Sequence, residues 1–276
     1  MTKELKNKET TELVDVSMFE QDLGCGMESV TADEIILPRL ALLQSMSPAT
    51  KKSSADYVEG AQEGMLLNRI TKKMYDGEKG IKVVPLNARL TLVEFTPRDK
   101  GGNYVADHSD NMKLWDQTPY DKEKGGKFTA EGNKLVKSWE LLVNVIEDNG
   151  ALTPILINFA STQFKKGHQW VSALKTTTLQ NKQGKAFEVP IFYSTFLLQS
   201  ATETKDGNSW MGYKITRVGN THEIDMGIYK ASAELSKIYT KDRNQGKFKV
   251  EPQEEQAATG SSVKKDDIVS GEALFD

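Results

Sequence analysis

Aromatic and cationic side chains alternate in several stretches of this sequence. In SWMGYKITRV, a strand would place Trp210 and Lys214 together on a polar face, because alternate residues of a strand share a face. Single-stranded nucleic acid is bound by such residues, with bases stacked on aromatic rings along a cationic groove that follows the phosphates. Packing in a core is the alternative role for each aromatic. The candidate nucleic-acid-binding residues are Arg89, Arg98, Tyr104, Lys165, Lys166, Trp170, Trp210 and Lys214.

The sequence holds no motif that predicts catalysis or a metal site. Its histidines, His108, His168 and His222, have no second ligand at metal spacing, and Asp107-His108-Ser109-Asp110 is typical of a polar loop tip. The patterns GxxxxGK[ST], GxGxxG and GxSxG are absent. We therefore expect a protein that is not an enzyme and uses no cofactor, with a nuclease of dispersed carboxylates as the alternative.

Net charge divides the chain into three parts. Residues 1–34 carry 3 Lys against 9 Asp and Glu, a net −6, and residues 251–276 carry 2 Lys against 7 Asp and Glu, a net −5. Because the whole chain carries −3, residues 35–250 carry +8. A basic body between acidic ends indicates a polyanionic ligand for the body, with ends that compete for it or recruit something else. Acidic ends that only maintain solubility are the alternative.

Nothing in the sequence indicates secretion or membrane insertion. The single cysteine, Cys25, cannot form an internal disulfide, which fits a reducing compartment. No run approaches the roughly 18 uninterrupted apolar residues of a membrane span, and MTKELKNKETTEL lacks the apolar core of a signal peptide. We therefore expect a cytoplasmic protein with no membrane partner.

Strand-forming segments occupy much of the body. Near alternation after Gly64, with turn signals at Asp76-Gly77, predicts a first hairpin. KSWELLVNVIED and LTPILINFA predict two further strands, the second apolar enough to be central. Residues 97–137 predict a long functional loop, because they are polar and glycine-rich yet contain the aromatics Tyr104, Trp115, Tyr120 and Phe128.

Two helices and a hairpin complete the body. Ser161 is expected to cap a helix in STQFKKGHQWVSALKTT, and a second amphipathic helix is expected from about Asp225 to Lys241. Between them, strands return after the turn NKQGK and form a hairpin around Asp206-Gly207-Asn208. This order predicts an α+β fold that is mainly β, an OB-like antiparallel barrel or sheet enlarged by insertions. A twisted α+β sandwich is the alternative.

The predicted organisation has three regions. Residues 1–34 form a flexible acidic N-terminal segment, residues 35–250 an OB-like nucleic-acid-binding domain, and residues 251–276 a flexible acidic tail. The stretch EPQEEQAATGSSVKKDD has the composition of a solvated linker.

The basic β-rich body, the polar linker and an acidic tail that ends near Phe275 resemble bacteriophage single-stranded DNA-binding proteins, most closely the T7-like phage group. The segments LPRLALLQSMSP, EGAQEG and GIKVVPL also resemble a family of phage proteins often described as single-stranded DNA-binding proteins. The resemblance runs from Leu37 to about Gly219. It implies a core with the OB fold and binding to single-stranded DNA without sequence preference.

In the family, such a tail competes with DNA and docks replication partners. Here the tail is diluted by Lys264 and Lys265, so we expect its aromatic end to matter more for partners than its charge for self-inhibition. The resemblance assigns partner contact to Asp266, Asp267, Glu272, Leu274, Phe275 and Asp276.

The expected function is coating of single-stranded DNA during phage DNA replication, recombination or repair in the host cytoplasm. The expected partners are single-stranded DNA, a phage or host DNA polymerase or helicase at the tail, and a second copy of the chain in a homodimer. A phage structural or assembly protein is the second reading, and a nuclease of DNA metabolism is the third.

Overall fold

The structure is a computed structural model that describes residues 25–26 and 36–244, except for the side chains of Arg98 and of residues 242–244. The expected flexible termini therefore lie outside the described residues, apart from Cys25 and Gly26. The described residues are 24% helical and 42% strand, which confirms the prediction of a mainly β, α+β protein.

The strands and helices follow one another with short turns between most of them. The strands are β1 (Arg39–Leu42), β2 (Leu66–Asn68), β3 (Met74–Tyr75), β4 (Ile81–Phe95), β5 (Tyr104–Asp107), β6 (Tyr120–Asp121), β7 (Gly126–Phe128), β8 (Lys134–Ile146), β9 (Leu152–Ala160), β10 (Thr178–Gln180), β11 (Ala186–Glu188), β12 (Ser194–Lys205) and β13 (Asn208–Asn220). The helices are α1 (Lys113–Gln117), α2 (Phe164–Thr176), α3 (Thr221–Ile224) and α4 (Met226–Asn244).

One large sheet curls into a half-barrel. Its strand order is β13-β12-β4-β8-β9-β1-β2-β3, with β5 added to β4 and with β7, then β6, added to β8. The pairs are antiparallel except for β1 with β9, which is parallel. Strands β4, β8 and β9 are successive neighbours and β12 returns beside β4, which is the order of a Greek key.

The main core lies on one face of this sheet, which we call the inner face. Strand β8 contributes Leu141 and Val143 and strand β9 contributes Ile157 and Phe159, all at 0% exposure. These strands are apolar on alternate residues because one face must exclude water. Helix α2 covers the inner face, and it approaches closely because a Cβ at Gly167 would lie 2.6 Å from the Cβ of Phe159.

Helix α4 covers part of the opposite, outer face. Its Leu235 and Tyr239 pack on Leu86, Leu142 and Leu156 of the sheet. Two serines on the helix are buried and hydrogen-bonded, since an unpaired buried hydroxyl would be costly. Asn144 Nδ2 donates to Ser232 Oγ at 3.1 Å, and Ser236 Oγ donates to the Leu86 carbonyl at 2.7 Å.

The closing hairpin has the predicted position and turn. Lys205 pairs with Asn208, so Asp206 and Gly207 form a two-residue turn, both with positive φ (51° and 79°). Such a turn matches the twist of the strands and favours Asp-Gly.

The start of α2 differs from the prediction. Ser161 lies in a 3-10 turn, Ser161–Gln163, with φ 49°, and the helix begins at Phe164 with no side-chain cap. The turn is tied instead to strand β13, because Gln163 Oε1 accepts a hydrogen bond from the Tyr213 amide at 2.9 Å.

The long loop predicted over residues 97–137 is folded. Residues 96–133 form β5, α1, β6 and β7, which extend both edges of the long β4–β8 hairpin at its far end. We call residues 96–133 the distal lobe. Sequence alone does not predict these short strands because each gains its hydrogen bonds from the edge of a longer strand.

The free edge of β13 is closed by side chains. The amide of Gln44 bonds both backbone groups of Met211, with Nε2 donating to the carbonyl and Oε1 accepting from the N–H, each at 2.9 Å. Gln163 accepts from the Tyr213 N–H, and Lys166 Nζ donates to the Tyr213 carbonyl. The half-barrel is therefore joined along this seam by side chains from beyond β1, from the 3-10 turn Ser161–Gln163 and from α2.

Candidate nucleic-acid interface

The structure separates the predicted nucleic-acid-binding residues into two groups. Lys165, Lys166 and Trp170 lie on α2, which meets the strand β13 that carries Trp210 and Lys214. Arg89 and Tyr104 lie on β4 and β5, which pair with each other, and Arg98 is in a 3-10 turn of the distal lobe.

Trp170 belongs to the core. It is 4% exposed, and its ring meets Phe159 edge-on at 5.8 Å and Phe196 at 5.3 Å between centroids. Its position on the buried side of α2 follows from the helical spacing that also buries Leu174. A base cannot reach this ring in the structure, so Trp170 is left out of the interface described below.

Arg89 is engaged in a network of charged groups on the outer face. Glu140 accepts from Arg89 Nε through one oxygen and from Arg39 through the other, both at 2.9 Å. The side chains of Glu140 and Arg39 are 2% and 8% exposed, whereas that of Arg89 is 29% exposed. Asp107 on β5 lies 3.9 Å from Arg89. The network holds β1, β4 and β8 together, so it is structural.

Lys166 and Trp210 share one carboxylate. Glu203 on β12 pairs with Lys166 and accepts a hydrogen bond from Trp210 Nε1 at 2.9 Å. Glu203 lies over Gly212, where a Cβ would collide with the carboxylate. Burial lowers the pKa of Lys166. This cluster binds α2 to the closing hairpin and leaves Lys165 and Lys214 as the exposed cations beside it.

Most of the net positive charge of the body lies in residues 161–220, which we call the basic segment. It carries 8 Lys and Arg against 3 Asp and Glu, a net +5, compared with +8 for residues 35–250. Its cations, all exposed except the half-buried Lys166, are Lys165, Lys166, Lys175, Lys182, Lys185, Lys205, Lys214 and Arg217. Such a concentration of exposed cations on connected elements fits a polyanion.

Aromatic residues and a cation form a row across the distal lobe. Tyr104, Phe95, Lys134 and Phe128 are directly opposite one another on four adjacent strands, β5, β4, β8 and β7. Direct partners place their side chains on the same face. Phe95 is buried, Tyr104 is 46% exposed, and Lys124 Nζ lies 5.3 Å from the Phe128 ring centroid.

Another aromatic side chain of the lobe, Trp115, lies between two lysines. Trp115 on α1 has Lys127 Nζ at 4.8 Å and Lys137 Nζ at 5.6 Å from its ring centroid. Sequence analysis noted Trp115 and Phe128 as aromatics in a polar stretch but did not pair them with cations. The lysines are 12 and 22 positions from Trp115, and only the strand register brings them to it.

A buried carboxylate fixes the lobe to the sheet. Glu94 on β4 accepts from Asn133 Nδ2 at 2.8 Å and from Thr129 Oγ1 at 3.2 Å, and His108 Nε2 lies 2.7 Å from its other oxygen. Burial raises the pKa of Glu94, but the hydrogen bonds from His108, Asn133 and Thr129 together lower it below its ordinary value. The ionised carboxylate is therefore the form that the lobe stabilises.

Replacing Glu94 with glutamine is expected to lower the free energy of unfolding at pH 7 by about 1–2 kcal/mol, because hydrogen bonds to a charged acceptor become neutral ones. A group with a lowered folded pKa stabilises above its unfolded value and loses that contribution as pH falls through the folded value. The difference between wild type and Glu94→Gln should therefore shrink below pH 4.5, the ordinary value for Glu. Urea unfolding at pH 7, 5 and 3.5 measures it, and a difference that stays constant would contradict this reading.

The part of the chain that the structure describes offers no other obvious chemistry. Within it, no three His, Cys, Asp or Glu side chains gather in a way that could hold a metal ion. Among its helices, none combines the length and apolar character needed to cross a membrane.

Comparison with known proteins gives a single kind of match. A family model described as Pam3 phage gp34-like protein matches residues 7–245. No curated protein and no solved structure matches the chain.

Proposed function

The chain belongs to the Pam3 phage gp34-like protein family, a bacteriophage family, and from the charge and aromatic pattern of its structure we propose that it binds single-stranded DNA without sequence preference. In this proposal it acts by binding rather than catalysis, in phage DNA replication, recombination or repair within the host cytoplasm. The observation that carries the proposal is the basic segment, whose net +5 is spread over exposed cations of α2, the β10–β11 hairpin and the β12–β13 hairpin.

The strand order supports an OB-like reading of the fold. Counting β4, β8, β9, β12 and β13 as five strands gives a Greek key in which α2 follows the third strand. OB folds are five-stranded Greek-key barrels that bind oligonucleotides on strands 2 and 3 and on the loops that follow strands 1 and 4. By this correspondence, the distal lobe is the first of those loops and the Asp206-Gly207 turn is the second.

The distal lobe would then supply the stacking platforms and the basic segment the phosphate contacts. Tyr104, Phe128 and Trp115 each lie at or near the surface of the lobe, and two of the three have lysines beside their rings. Aromatic rings beside cations are the combination that binds unpaired bases irrespective of sequence, because every base has a π-face.

The C-terminal tail, residues 251–276, lies outside the described residues. We assign it the recruitment of a phage or host polymerase or helicase through Leu274 and Phe275, supported by its net −5 against a basic body. A homodimer is compatible with this role.

A titration of labelled oligothymidine with the full chain tests the proposal. Binding should be tight at low salt, should weaken as salt rises, and should exceed binding to duplex of the same length. In Lys165→Gln/Lys214→Gln, the slope of log K against log salt should be smaller by about 1.4, since each phosphate contact to a single strand contributes about 0.7.

The matched control is Lys52→Gln/Lys79→Gln, which removes two exposed lysines from turns outside the basic segment and should leave the slope unchanged. Absence of binding, or equal affinity for duplex, would overturn the proposal. A large oligomer in light scattering that ignores added DNA would favour an assembly protein, and magnesium-dependent loss of the oligonucleotide would favour a nuclease.

A further inference from the structure

A small hairpin stands apart from the large sheet. Within the part of the chain that the structure describes, strands β10 and β11 pair only with each other, and each of residues 178–188 is exposed. We call residues 178–188 the arm. It leaves the end of α2 and returns at Pro190, and its base is closed by the Val189 amide, which donates to the Thr177 carbonyl at 3.3 Å. Isolated two-stranded hairpins are marginally stable in water. Because the arm is exposed throughout, packing does not explain why the chain forms a hairpin here.

Local hydrogen bonds define the tip of the arm. Asn181 Oδ1 accepts from the amides of Gln183 and Lys185, both at 3.0 Å, and the Asn181 amide donates to the Lys185 carbonyl at 3.0 Å. Gly184 supplies the positive φ, 76°, that closes the turn. The two lysines of the tip, Lys182 and Lys185, are therefore held on an ordered turn rather than on a mobile loop.

One face of the arm carries an apolar pair. Leu179 and Phe187 are directly opposite each other, so their side chains share a face, and they are 38% and 47% exposed. The other face at the base carries the ion pair between Lys175 and Glu188, 2.6 Å apart. The arm thus presents an exposed aromatic ring near two exposed cations, without contributing to either core cluster.

We infer that the arm is a second contact for single-stranded nucleic acid, with Phe187 stacking on a base and Lys182 and Lys185 holding phosphates. This inference rests on the proposed function and deepens it, because it adds a stacking ring outside the distal lobe and assigns two lysines of the basic segment to one strand-binding element. An exposed hairpin could bind a nucleic acid or the same hairpin of a second copy, and charge decides between these two occupants. Residues 175–188 carry 3 Lys against 1 Glu, a net +2, which attracts a polyanion and repels the same arm of a second copy.

The test compares arm variants with wild type in the full chain, using labelled oligothymidine. Lys182→Gln/Lys185→Gln should reduce the slope of log K against log salt by about 1.4, while Lys52→Gln/Lys79→Gln should leave it unchanged. Phe187→Ala should weaken binding on the order of tenfold through loss of one stacked base. Leu179→Ala removes apolar area from the same face without removing a ring, and it should bind almost as wild type does.

The outcomes separate this inference from the function on which it rests. If wild type does not bind oligothymidine, the proposed function fails. If wild type binds and all arm variants match it in affinity and slope, the proposed function stands and the arm is not a contact. If Phe187→Ala changes the sedimenting mass in the absence of DNA, the arm joins copies of the chain, which would also overturn the inference. Circular dichroism should show unchanged folding, since no arm side chain is buried.

Discussion

Replacing Glu140 with alanine should lower the free energy of unfolding by about 3–5 kcal/mol, the typical cost of removing one member of a buried ion pair. The carboxylate is 2% exposed and accepts from two guanidinium groups, those of Arg39 and Arg89. Without it, the Arg39 side chain, 8% exposed, would keep its charge in a site that water barely reaches. Urea unfolding followed by circular dichroism measures the loss.

Two further variants show whether charge or shape causes that loss. Glu140→Gln keeps the volume and one acceptor, so it should be destabilised by less than Glu140→Ala. Arg39→Met/Glu140→Leu removes both buried charges and should recover much of the stability, because a buried ion pair replaced by apolar groups is often neutral. A Glu140→Ala protein within 1 kcal/mol of wild type would contradict the structural role assigned here (roughly the scale of a surface pair).

Trp170→Ala should also lower the free energy of unfolding by about 3–5 kcal/mol, as large aromatic deletions in cores do. The ring packs between Phe159 and Phe196 on the inner face, and it is 4% exposed. The folded fraction of the variant should bind oligothymidine with the affinity and salt slope of wild type, because the Trp170 ring is buried and does not form part of the surface that DNA could contact. Thermal unfolding and titration below the lowered midpoint measure the two quantities.

His168→Ala is the matched control, because it removes an exposed ring from the same helix. It should cost far less stability, although it does lose the stacked contact with Trp139 at 6.0 Å. Selective loss of DNA binding in Trp170→Ala, with stability near that of wild type, would return Trp170 to the interface and contradict its burial.

Long segments with a clear hydrophobic period could be predicted from sequence. Short strands that depend on pairing with the edge of another strand could not. LTPILINFA is β9 at its predicted bounds, and the Asp206-Gly207 hairpin forms as expected, because each pattern is local and strong. The sequence FEVPIFYSTFLLQSATE after the turn NKQGK is β-rich throughout, so its pattern does not predict a break between Phe187 and Tyr193. Pro190 and a 3-10 turn, Ile191–Tyr193, separate the two strands.

The candidate site was predicted by residue type but not by arrangement. Exposed Lys165, Lys214 and Tyr104 match the expectation that cations and aromatics lie at the surface. Arg89 is a candidate nucleic-acid-binding residue by sequence, yet it contacts a carboxylate 51 positions away, a pairing that depends on strand register. A tryptophan such as Trp170 can stack on a base or pack in a core. The orientation of α2 on the sheet, which the sequence does not give, buries it.

The seam at β13 has a consequence for how this protein meets other chains. An edge strand with unpaired N–H and C=O groups is a template for another strand, and natural proteins cover such edges to avoid aggregation. Here Gln44, Gln163 and Lys166 occupy the outward backbone groups of Met211 and Tyr213 with side-chain amides and an ammonium. If copies of the chain line up on single-stranded DNA as proposed, the backbone groups of Met211 and Tyr213 would not be free to pair with a neighbouring strand, so close packing of copies need not lead to cross-β assembly.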